Sequence, residues 1–97
     1  MFGWFDAKRA EAFGTSLAKN LIEKLPLDKQ MSDAKFAARA ELLLTKMSDQ
    51  ITAFKQEEKL NFYKSAKLGN AFKWTLKDAG YNDALSDKLL EWLVSSL

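Results

Sequence analysis

No cysteine and no histidine occur anywhere in the 97 residues. Without cysteine there is no disulfide framework and no thiolate chemistry. Without histidine as well, the usual nucleophile–base pairs, histidine general bases and ordinary zinc sites are excluded. Proline occurs once and glycine four times. So few breakers argue for helices rather than for many short strands joined by turns. No apolar run approaches the 18 residues that a membrane-crossing helix needs. Asp6, Lys8, Arg9 and Glu11 interrupt the start of the chain before a secretory core region could form. Glycine-rich phosphate loops are missing too. The expectation is a non-catalytic, cytoplasmic protein with no cofactor and no metal.

What is present suits one folded domain spanning residues 1–97. The composition is 47% hydrophobic and 29% charged, too apolar for a disordered chain. The expected fold class is all-α, a compact bundle of about five helices in which a long antiparallel hairpin is closed by three shorter helices.

The first helix is expected from Asp6, as N-cap, to Leu25, before Pro26. Ala10, Phe13, Leu17, Leu21 and Leu25 recur at helical spacing on one face. Ala10, Gly14 and Ala18 form a strip without bulk on that face, fit for close packing within the chain or against a second copy. The second helix, Asp33 to Gln56 with Ser32 as cap, keeps Ala40, Leu43, Leu44, Met47, Ile51 and Phe54 in phase. At about 36 Å it is the longest element expected. The short Leu25–Ser32 link makes these two helices antiparallel neighbours.

The apolar phase fails at Glu57 and Asn61, which predicts a break. A third helix is expected over Glu58–Leu68, ended by Gly69, with Asn70 capping a fourth over Ala71–Ala79. Gly80 ends that one, and a fifth covers Asp83–Ser96. Phe62 and Phe72 are expected in the core.

Two features suggest function. Lys59 to Lys77 holds five lysines and no acidic residue, whereas the rest of the chain has ten basic and thirteen acidic residues. Phe62, Tyr63, Phe72 and Trp74 are interleaved with those lysines, a pattern that suits phosphates and stacked bases. The candidate polyanion-binding residues are Lys59, Lys64, Lys67, Lys73, Trp74 and Lys77, set against the plainer reading of a solvated helix face. Arginine is missing from the stretch, which disfavours base-specific contacts. The second feature is the opening MFGWF. Its aromatics fall out of phase with the helix that follows, so Phe2, Trp4 and Phe5 need a groove of their own, on this bundle, on a protein partner or second copy, or at a membrane surface.

Two other patterns are weaker. Asp83, Asp87 and Glu91 share a helix face, but it lies opposite the apolar one, and a solvated surface accounts for them better than a metal does. A helix-turn-helix ending in the last helix would put these same carboxylates into a phosphate-lined groove, which is repulsive. The leading expectation is a small helical protein-interaction module that binds a protein partner or a second copy of itself. The alternative is non-specific binding of nucleic acid or another polyanion, or of an anionic surface, through residues 59–77.

Overall fold

The structure, a computed structural model, describes residues 7–25 and 33–97. Among them it contains four helices and no strand: α1 (Lys8–Lys24), α2 (Asp33–Glu57), α3 (Phe62–Asp78) and α4 (Asp83–Ser96). The expected caps Asp6 and Ser32, the stop Pro26 and the aromatics Phe2, Trp4 and Phe5 lie outside the described residues.

The expected five helices become four because residues 62–78 form one continuous helix. Gly69 and Asn70 do not separate two elements. Gly69 is a buried residue of α3, and a Cβ there would lie 3.2 Å from Leu90 Cδ1 of α4. Its smallness admits the neighbouring helix instead of ending its own. The break expected at Glu57 and Asn61 is present, but the helix after it starts at Phe62 rather than at the expected Glu58. Asn61 then caps α3 by accepting a hydrogen bond from the Lys64 backbone N–H at 2.8 Å. Asn82 caps α4 in the same way, accepting from the Leu85 N–H.

The turn between α3 and α4 is closed at Gly80, whose φ of 97° suits glycine. The Tyr81 N–H donates to the Leu76 carbonyl and the Gly80 N–H to the Lys77 carbonyl, the Schellman arrangement that satisfies the end of a helix.

α1 and α3 form the closest-packed pair. The strip Ala10, Gly14 and Ala18 is buried. A Cβ on Gly14 would stand 2.3 Å from the Leu68 carbonyl oxygen. The close approach that the strip permits is therefore made inside the chain. Leu17, Leu21, Leu68, Phe72 and Leu76 fill the contact region, joined by Met47 and Ile51 from α2 and Leu93 from α4. Burying each such side chain contributes roughly 1.5–3 kcal/mol.

Specific contacts set the helix directions. Phe13 stacks on Phe54 with ring centroids 4.2 Å apart, and Arg9 reaches Glu58 at 3.0 Å, so α1 and α2 run oppositely. Gly14 lies beside Leu68, while the Tyr81 hydroxyl donates to the Leu25 carbonyl at 2.7 Å. Hence α1 and α3 run the same way. α4 returns along α3, with Asp83 on Lys77 and Asp87 on Lys73. Lys55 of α2 donates to the Ser96 carbonyl, which ties the C-terminal ends of α2 and α4 together.

Candidate functional surfaces

α3 carries most of the residues singled out in the basic stretch, and helical geometry divides them between three sides. Leu68, Phe72 and Leu76 face the core. Lys64, one turn before Leu68, falls on this same side and is 6% exposed. Its ammonium pairs with Glu58 at 2.9 Å, and Glu58 also receives Arg9. This three-member network joins α1, α3 and the link between α2 and α3. A buried ammonium needs such a partner, because desolvation without one is costly. Lys64 is thus a structural cation rather than a surface contact.

The opposite side of α3 presents Tyr63, Lys67, Asn70, Trp74 and Lys77, separated by alternating steps of four and three. The Lys67 ammonium lies 5.6 Å from the Tyr63 ring centroid, and Lys77 lies 5.3 Å from that of Trp74. Both are within cation–π range. Trp74 is 55% exposed. Lys77 and Lys73 are also engaged with Asp83 and Asp87 at 3.0 and 3.3 Å. Two of the three α4 carboxylates therefore meet lysines across the helix pair, and Lys59 stands exposed in the link before α3. The residues proposed together from sequence do not converge on one concave face.

The third side borders α4. Phe62, expected in the core, is 91% exposed. It is the first residue of α3 and lies off the Leu68–Phe72–Leu76 face, so the fold leaves its ring outside. Phe62, Ala66, Val94 and Leu97 wall a groove of about 350 Å³, with Ser65 as its polar member. The groove continues along Gly69 and Leu90 to Lys73. Val94 is 57% exposed. On the far side of α4, Trp92 lines a separate cleft with Ala40 and Leu44 of α2.

Sequence reasoning missed both the Phe62 groove and a second one. The latter lies between α1 and α2 and is lined by Lys24, Arg39, Leu42, Leu43 and Lys46, with a volume of about 220 Å³. Its cations come from two consecutive helices, with Lys24 15 residues before Arg39, and do not stand out as a charge run.

Among the described residues no group of histidine, cysteine and carboxylate side chains is arranged to hold a metal ion, and no helix is long and apolar enough to cross a membrane. Burial pushes the Tyr81 phenol above its ordinary pKa. No protein-family model matches the chain, and no curated protein or solved structure is significantly similar to it.

Proposed function

We propose that the protein is a non-catalytic helical interaction module that pairs with a second copy of itself through the α3–α4 face. The observation that carries this reading is Phe62, a ring 91% exposed beside an apolar groove. A large aromatic left in water adds little to the fold, whereas aromatics anchor protein interfaces. The face has a projection, Phe62, next to a recess, as a two-fold contact between identical surfaces requires.

Charge supports the same occupant. Lys73 and Lys77 are paired with Asp87 and Asp83 within the chain, which leaves Lys67 of α3 and Glu91 of α4 for a second copy. A two-fold axis parallel to the helices lays α3 of one copy along α4 of the other and brings these opposite signs together. A standard interface buries about 800 Å² per partner, and a contact confined to one such groove falls short of that. The expected association is therefore weak and concentration-dependent.

Sedimentation equilibrium over a range from micromolar to millimolar protein tests the proposal. The expected result is a monomer–dimer equilibrium that Phe62→Asp shifts to monomer without loss of helicity. A monomer throughout the range rejects it, as does a dimer indifferent to Phe62→Asp.

A second reading rests on the Tyr63–Lys67–Asn70–Trp74–Lys77 stripe, in which two aromatic rings lie about 16 Å apart along the helix. Weak binding of single-stranded nucleic acid there would combine stacking with backbone attraction. Anisotropy of a labelled oligonucleotide at low and moderate salt tests it. Salt-sensitive binding that is lost in Trp74→Ala supports this reading, and no binding at low salt removes it.

A further inference from the structure

We infer that the groove between α1 and α2 is a peripheral docking site for an anionic lipid surface, with Lys24, Arg39 and Lys46 contacting headgroup phosphates and Leu42 entering the interface between them. The fold builds this site by register. Phe13 lies on Phe54 and the helices are antiparallel, so Lys24 comes level with Leu43 near the end of α1. α2 has 25 residues against 17 in α1 and continues past that point. Arg39 and Lys46, seven residues apart, occupy one side of α2 about 10 Å from each other along its axis.

Three cations therefore meet at one groove, and none of them has an ion-pair partner among the described residues. The nearby acids of the same helices, Glu23, Glu41 and Asp49, do not line it. This differs from residues 59–77, where Lys64, Lys73 and Lys77 are already paired. The second independent feature is Leu42, which is 69% exposed and lies among these cations.

Exposed leucine framed by lysine and arginine matches a bilayer surface, where apolar side chains enter the acyl boundary and long cationic side chains extend to phosphate. A nucleic acid would use the cations but leave Leu42 against sugar and phosphate. Among the described residues, no aromatic ring on which a base might stack lines the groove.

Co-sedimentation with vesicles of three parts phosphatidylcholine to one part phosphatidylglycerol provides the test, with phosphatidylcholine vesicles as the neutral control. Salt-sensitive binding to the anionic vesicles alone is expected. Each basic residue at such a surface contributes roughly a fivefold change in affinity, so K24Q/R39Q/K46Q is expected to weaken binding on the order of a hundredfold. Leu42→Ser is expected to weaken binding with all three charges intact, while K19Q/K88Q, at exposed lysines away from the groove, binds as the parent does. All variants change exposed residues, and circular dichroism verifies their helicity. Equal binding to neutral and anionic vesicles overturns the proposal. So does a triple variant that binds like the parent, or binding of an oligonucleotide at this groove without binding to vesicles.

Discussion

The two long sides of α3 are made from similar residues and do opposite things. Toward α1, Leu68, Phe72 and Leu76 are fully buried, and backbone approaches backbone closely enough that Gly14 has no room for a methyl group. Toward solvent and α4, Phe62 and Trp74 stay exposed, although each is at least as large as the residues buried opposite. Hydrophobicity alone does not decide which side chains join a core. Position around the helix decides it, and the tightest contact forms where the facing helix offers Ala10, Gly14 and Ala18.

The strongest way to break the inner side is Phe72→Ala. Removing a fully buried ring from the α1–α3 contact should cost about 3–5 kcal/mol, measurable as a large fall in the urea midpoint. Gly14→Ala acts on the same contact by overfilling it. The new methyl meets the Leu68 carbonyl, which is backbone and cannot rotate away. Even after the gain in helix propensity, a net loss of about 2 kcal/mol is expected, lowering the melting temperature by roughly 10 °C.

Tyr81→Phe sharpens the comparison at the far end of that contact. Losing the hydrogen bond to Leu25 should cost about 1 kcal/mol at neutral pH. The pH dependence follows from burial. The phenol's folded pKa lies above its unfolded value near 10, so its contribution is complete below pH 10 and fades as pH rises through the folded value. The parent should therefore lose stability above pH 10 more steeply than Tyr81→Phe in alkaline melts.

Ser86→Ala has the opposite sign. The buried Ser86 hydroxyl has no hydrogen-bond partner among the described residues, so its removal should stabilise by about 1 kcal/mol in thermal melts. On the open side, Phe62→Ser should leave the stability of the dilute monomer within about 0.5 kcal/mol. A larger loss would mean that Phe62 belongs to the core after all.

Much of this architecture is legible in the sequence. α4 spans the expected Asp83–Ser96, and α2 ends one residue beyond the expected Gln56. The phase failure at Glu57 and Asn61 marks the real interruption. The error at Gly69 comes from reading glycine only as a helix stop, when it also serves where another helix presses close. One misplaced boundary then hid two residues. Continuous from Asn61, the helix has Lys64, Leu68, Phe72 and Leu76 in four-residue steps on one side, with Phe62 off it. That pattern turns Lys64 inward and Phe62 outward.

The candidate surfaces were harder to see because they are built across elements. A run of lysines along one helix is conspicuous in sequence, yet the fold distributes its members to three sides and pairs most of them. Lys24, Arg39 and Lys46 are separated by other residues of both signs, and only the α1–α2 register gathers them. The described structure does not include Phe2, Trp4 and Phe5, so that candidate site stands as the sequence presents it.

The bond from Tyr81 to Leu25 joins residues 56 positions apart, and the Gly14–Leu68 approach spans a similar separation. The densest part of the core thus closes a loop that contains all of α2. Helices themselves form in about a microsecond, but this closure must come before most of the burial that rewards it. A nascent chain ending at Glu57 has α1 and α2 yet lacks the surface that α1 covers most closely. During synthesis the α1–α3 contact cannot form until α3 has emerged, and until then the α1 strip lacks the helix that covers it.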